Sequence, residues 1–172
     1  GLDAGAPERQ RLAFDEIFAR QLALQIVRAH RRAQSGRPLA GSDEAVRVVL
    51  DAAPFKPTGA QIRAFEEIRT DMQSDARMTR LLHGDVGAGK TFVAALAAAH
   101  AAGAGVQTAI MAPTEILARQ HEKTLSQMLE PAGLSVIALT GRDKGKARAA
   151  LLERMASGKV DIVCGTHALF QD

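Results

Sequence analysis

The run Gly84-Asp85-Val86-Gly87-Ala88-Gly89-Lys90-Thr91 constrains this chain more than any other feature. It matches the pattern G-x-x-x-x-G-K-[ST] at every position, with an apolar run before it and an Ala-rich helical run after it. Glycines at 84, 87 and 89 let the backbone curl so that successive N–H groups face one point, an anion nest at a helix N-terminus. Lys90 adds a positive charge that reaches the β- and γ-phosphates. The hydroxyl of Thr91 suits Mg²⁺, which prefers oxygen ligands. The loop predicts a nucleoside triphosphate site with Lys90 and Thr91 as its catalytic residues. Kinases, transporters, GTPases and helicases all share the pattern.

The rest of the chain changes character near Pro54–Pro57. Residues 1–53 read as a helical linker segment, and 54–172 as an alternation of short apolar runs with helical patterns, the mark of a parallel sheet with crossover helices. Phe14, Phe18, Leu22 and Ile26 recur every four residues on a helix predicted from Glu8 to Gln34. Arg28, His30, Arg31, Arg32 and Arg37 gather near its end. Ser42 is expected to cap a short helix and Thr58 to open a third. Strands are predicted at Met78–His83, Val106–Met111, Leu134–Leu139 and Val160–Cys164. Helices are predicted at Thr91–Ala102, Glu115–Leu129 and Ala147–Met155, the last with Leu151, Leu152 and Met155 on one face.

Composition narrows the class. The chain has 172 residues, 47% of them apolar, with 22 Lys and Arg against 19 Asp and Glu, so it suits a globular fold and not a disordered one. Charges interrupt every apolar stretch well short of a bilayer span. Glu8, Arg9 and Arg11 stand where a secretory leader would be apolar, so a bacterial cytoplasmic location without membrane attachment is expected. Cys164 is the only cysteine, which excludes an intrachain disulfide and leaves too few ligands for zinc. Aromatic residues make up 3%, all Phe, so a stacking platform for single strands is not expected.

Phe55-Lys56-Pro57-Thr58-Gly59-Ala60-Gln61 lies one helix upstream of the loop. A Gln can pair two ways with adenine, donating to N7 and accepting from N6, so Gln61 beside Phe55 could read the base of ATP. Thr58-x-x-Gln61 is equally a capping box. The residues leave both roles open, and they can coexist.

Taken together the motifs resemble superfamily 2 helicases, and within them the RecG branched-DNA helicases. His83–Thr91 resembles that family's motif I, and Ala112-Pro113-Thr114-Glu115-Ile116-Leu117-Ala118-Arg119-Gln120-His121 its motif Ia. Thr140-Gly141 followed by Lys144, Lys146 and Arg148 is similar to its Thr-Gly loop and basic helix start. Gly165-Thr166-His167-Ala168-Leu169-Phe170-Gln171 resembles the stretch before motif II, Phe55–Gln61 the adenine-reading motif, and Arg11–Glu16 the start of the helix joining the DNA wedge to the motor. The transcription-repair coupling translocases share some of these stretches.

The resemblance implies a RecA-like first motor domain, using ATP and Mg²⁺, that works as a monomer on branched duplex DNA such as forks and Holliday junctions. It implies a DNA track formed by Pro113, Thr114 and Glu115, by Thr140, Gly141, Lys144 and Lys146, and by Gly165, Thr166 and His167. Each group closes a predicted strand at its carboxyl end, where α/β sheets bind ligands, and Thr114 stands as N-cap where a phosphate could rest. Arg142 and Arg148 would add charge.

A hydrolysing motor needs an apolar strand ending in Asp-Glu, and Val160–Cys164 ends in Cys-Gly. The expectation is that this chain alone binds nucleotide without DNA-stimulated turnover and leaves a sheet edge open to association. A phosphotransferase would need an acceptor site and an Arg-rich lid, and neither is visible. A non-hydrolysing nucleotide-binding module remains the other alternative.

Overall fold

The computed structural model describes residues 7–32 and 35–169. The side chains of Arg28, His30, Arg31, Arg32 and Ala168, with residues Gln34, Phe170, Gln171 and Asp172, lie outside the described set. Helix α1 (Pro7–Arg32) is followed by α2 (Glu44–Asp51), α3 (Gly59–Met72), α4 (Lys90–Gly103), strand β1 (Thr108–Met111) and α5 (Glu115–Leu129). A 3₁₀ turn (Glu130–Ala132), β2 (Val136–Leu139), α6 (Gly145–Ala156), β3 (Ile162–Gly165) and a second 3₁₀ turn (His167–Leu169) complete the order. The strands form a parallel sheet in the order β1-β3-β2. This is the α/β, RecA-like P-loop arrangement of a parallel sheet with flanking helices, preceded by a helical segment.

Met111 and Leu139 both pair with Gly165, so all three strands end at one level. The loops that follow them therefore leave from a common edge.

Met78–His83, expected as a buried strand, has no regular secondary structure and belongs to no ladder, and Leu81 is 87% exposed. Extended backbone becomes a strand only when a neighbour takes up its N–H and C=O groups, and none of the described residues runs beside it in a ladder. Of its apolar side chains Leu82 packs, half-buried, against the core, while Met78 and Leu81 are exposed. His83, at the end of this segment, is likewise exposed.

The core lies around α4. Phe92, Val93, Leu96 and Ala99 pack with Val46 and Val49 of α2, Phe65 and Ile68 of α3, Leu125 and Leu129 of α5, and Ile162 and Cys164 of β3. Small residues dominate the rest of α4, which lets the surrounding helices approach closely. Burial pushes the Cys164 thiol up to about 11, with Glu122 adding to the shift, so this cysteine is not a reactive one. Leu151 and Met155 of α6 pack on a second cluster with Ile137, Leu139, Val160 and Val163, while Leu152 turns outward. α2 thus shares the core built around α4. By contrast, the described α1 side chains are exposed on every face, including the apolar stripe, where Phe14 and Phe18 stack 5.9 Å apart.

Polar contacts join the α2 entry to α4. His100 is fully buried in α4, with Nδ1 2.8 Å from Asp43 Oδ1 and Nε2 3.1 Å from the Leu39 carbonyl. Arg69 of α3 donates to the other Asp43 oxygen at 2.8 Å. The His100 bond holds the Asp43 carboxyl below the usual carboxylate range against a burial cost, with Arg69 assisting. Its contribution to stability is therefore complete above the unfolded-state value and is lost as pH falls through the lower folded-state value. Asp43, not Ser42, is the α2 N-cap residue, and the Ser42 hydroxyl accepts from the Glu44 N–H at 3.1 Å.

Candidate nucleotide site and strand-end loops

The phosphate loop runs from irregular chain into the first turn of α4. Gly87 has φ 83° and Gly89 has φ 78°, both in the left-handed region that glycine adopts without strain. At Gly89 space adds to conformation, because a Cβ there would collide with the Gln61 amide nitrogen. The Lys90 ammonium folds back on its own loop, donating to the Gly84 and Asp85 carbonyls at 2.7 Å each. A cation is thus held at the mouth of the curl, beside a helix N-terminus whose first amides lack intrahelical partners. Val86 is fully exposed at the tip, and Thr91 is half-buried on the first turn of α4.

Thr58 caps α3 through both halves of a capping box: its hydroxyl accepts from the Gln61 N–H at 3.2 Å, and Gln61 Oε1 accepts from the Thr58 N–H at 2.8 Å. Gln61 Nε2 also donates to the Ala88 carbonyl at 3.1 Å. One side chain therefore fixes the helix start and ties it to the phosphate loop, 27 residues away. Spacing foresaw the cap and not the tie. Thr58→Ala is expected to cost about 1 kcal/mol of stability, read by urea unfolding, since the cap bond is lost while the fold remains. Phe55 packs edge-on against Phe92, ring centroids 5.0 Å apart, and lines an apolar pocket of about 160 Å³ with Val49, Met128 and Thr124.

The three strand-end loops gather as the parallel order requires. Pro113 and Thr114 are exposed after β1, and the Thr114 hydroxyl caps α5 by accepting from the Leu117 N–H at 3.3 Å. After β2, Gly141, Lys144 and Lys146 are exposed. Thr140 is not: it is fully buried, and its hydroxyl donates to Asp143 at 3.0 Å. After β3, Gly165 is buried between its neighbours, Thr166 is half-buried and His167 is exposed. Surface for a ligand thus comes from Pro113, Thr114, Gly141, Lys144, Lys146 and His167, whereas the Thr140 side chain braces its loop. Glu115 and Arg142 pair with each other at 2.8 Å, so Arg142 does not stand as an open charge. Sequence reasoning missed Arg119 and Asp143, which join the β1 and β2 loops; the Thr140-x-x-Asp143 spacing was the one local hint.

This combination of curled phosphate loop and strand-end loops defines a P-loop α/β segment. A family model described as DEAD/DEAH box helicase matches residues 58–172, and the chain belongs to that family. Among the proteins it is similar to are RecG helicases. The chain is 47% identical over 166 residues to the ATP-dependent DNA helicase RecG of Escherichia coli (strain K12), covering 96% of this chain and 24% of that protein. Against the RecG of Bacillus subtilis (strain 168) identity is 47%, and against that of Thermotoga maritima 42%, with 95% of this chain covered in each case. A solved structure of RecG bound to a three-way DNA junction superposes with a TM-score of 0.87 at 42% identity, over 95% of this chain and 22% of that one. The chain spans about a quarter of the length of these curated relatives. Among the described residues, no helix is long and apolar enough to cross a membrane.

Proposed function

We propose that this chain is the nucleotide-binding and part of the DNA-binding portion of an ATP-driven, RecG-type translocase that remodels branched duplex DNA in repair and recombination. Residues 54–172 form the amino-terminal part of its first RecA-like motor domain, and α1 is the helix that links the motor to a preceding DNA-binding domain. The observation that carries this reading is the Gly87–Gly89 curl with the Lys90 ammonium held at its mouth. Such a cradle fits a triphosphate, because it presents backbone amides and one cation without any carboxylate hydrogen-bonded to that cation.

Gly84–Thr91 bind the phosphates, and Lys90 exchanges its two carbonyl partners for phosphate oxygens. The Thr91 hydroxyl holds Mg²⁺, which neutralises phosphate charge when bound. Gln61, with one lone pair on Oε1 and one N–H on Nε2 beyond its present bonds, meets adenine near Phe55 and reports base binding to the loop through Ala88. The protein acts in the bacterial cytoplasm as a monomer.

Duplex DNA lies along the strand-end loops, its phosphates on the Thr114 helix start, on Gly141, Lys144 and Lys146, and on the Gly165–His167 loop. Binding of a labelled three-way junction to the full-length protein is expected to weaken steeply with salt, by about 0.9 log units per log unit of salt for each neutralised phosphate. Replacing Lys144 and Lys146 together by Ala should make the slope shallower by about 1.8 if each neutralises one phosphate, measured by fluorescence anisotropy. An unchanged slope removes both lysines from the track.

A further inference from the structure

The loops after β1 and β2 belong to strands that never touch, because β3 runs between them. Two strand spacings, about 10 Å, separate them at the sheet. They are nevertheless joined directly by a reciprocal exchange of charge. Arg119, on the second turn of α5, reaches the β2 loop, where one terminal nitrogen stands 3.3 Å from Asp143 Oδ1 and 3.3 Å from Thr140 Oγ1. Arg142 returns from that loop to α5, with Nε 2.8 Å from Glu115 Oε2. The other Glu115 oxygen lies against Gly141, where a Cβ would come within 3.1 Å of it.

Asp143 is the fixed point of this clasp. Its side chain is 18% exposed, and Oδ2 accepts from the Thr140 N–H at 2.8 Å and the Thr140 hydroxyl at 3.0 Å. Burial pushes its carboxyl up, but the two Thr140 bonds and Arg119 outweigh this and hold it below the usual carboxylate range. Arg119 thus grips a carboxylate that is already anchored, and it carries that anchor across to α5, the helix whose first turn begins at Glu115.

We propose that Arg119 and Asp143 are positioning residues of the DNA track, setting the distance between the Pro113–Thr114 surface and the Gly141–Lys146 surface so that one duplex meets both. The inference rests on the reading of those loops as the track. Neither residue needs to touch DNA. Two phosphate-binding loops on a preset frame lose less freedom on binding than two loops that must be ordered by the ligand. Glu115 takes a matching part: its carboxylate would repel a phosphate at the α5 N-terminus, and Arg142 neutralises it there.

The test uses the full-length protein carrying Arg119→Ala, Asp143→Ala, both, or Arg119→Lys. Anisotropy of a labelled three-way junction is followed across a salt series, with ATP affinity and Tm measured on the same samples. Each Ala variant is expected to raise Kd about five- to tenfold at every salt concentration, with an unchanged slope and unchanged ATP affinity. The double variant should bind no worse than the weaker single one, because the two residues act as a pair. Arg119→Lys, which keeps charge and reach, should recover most of the affinity. If Asp143→Ala lowers Tm, the two Arg119 variants decide the matter.

A slope shallower by about 0.9 in Arg119→Ala would make Arg119 a phosphate ligand and overturn the positioning role. An unchanged Kd, or single effects that simply multiply in the double variant, would overturn it too. Failure of the track itself has a different signature, an unchanged slope in the Lys144 and Lys146 variants.

Discussion

ATP binding by the full-length protein is expected to weaken by about tenfold to more than a hundredfold in Lys90→Ala, the worth of about 1.5–3 kcal/mol for hydrogen bonds to a charged group. DNA-stimulated phosphate release should fall further, by about a thousandfold, because the ammonium meets charge that grows on the phosphates during transfer. The geometry explains why the loss is confined to function. Among the described residues the Lys90 ammonium donates to the Gly84 and Asp85 carbonyls of its own loop, and the side chain is half-buried, not packed in the core. Removing it leaves those two carbonyls near solvent, where water replaces the lost donor. Calorimetric titration with ATP, alongside an unfolding curve, checks both halves of the statement. Wild-type nucleotide affinity in the variant would end the assignment of this loop as the triphosphate cradle.

The opposite pattern is expected for Leu96→Ala. Leu96 is fully buried on α4, where α2, α3 and α5 converge, and its neighbours on that helix are mostly alanines that cannot swing into the space left behind. A Leu→Ala change in such a site costs about 2–5 kcal/mol, part of it transfer free energy and part the residual cavity. For a domain of this size that lowers Tm by about 5–15 °C. ATP affinity at a temperature well below the transition should change little, since the loop sits at the end of α4 and Leu96 near its middle. A Tm shift below about 2 °C would mean that the surrounding helices collapse onto the gap, a freedom the close packing argues against.

Much of this was legible in the sequence because it is local. A Gly-Lys-Thr loop, a Thr-x-x-Gln cap and a Thr at the start of α5 each act within a few residues, so spacing predicts them: Thr58 and Thr114 both cap as expected. The three strands Thr108–Met111, Val136–Leu139 and Ile162–Gly165 fall inside or within one residue of their predicted runs, since short β-rich apolar runs between turns have few other uses. Met78–His83 shows the limit of that reasoning. Its side chains look like a strand, but a strand is a relation between two segments, and composition says nothing about the second one.

Residue type and short-range spacing determined the phosphate cradle, the helix starts and the alternation of strand and helix, because backbone conformation and capping bonds are settled over a few residues. Tertiary structure alone decided that Gln61 ties α3 to the phosphate loop, that Thr140 turns inward, that Arg142 is held by Glu115, and that Arg119 spans two loops of non-adjacent strands. Those contacts join residues 21 to 27 positions apart; α3 meets the phosphate loop because it packs on α4, and the two loop-to-loop contacts reach past β3, which lies between β1 and β2. No periodicity along the chain encodes a distance between loops; it follows only once the sheet has packed.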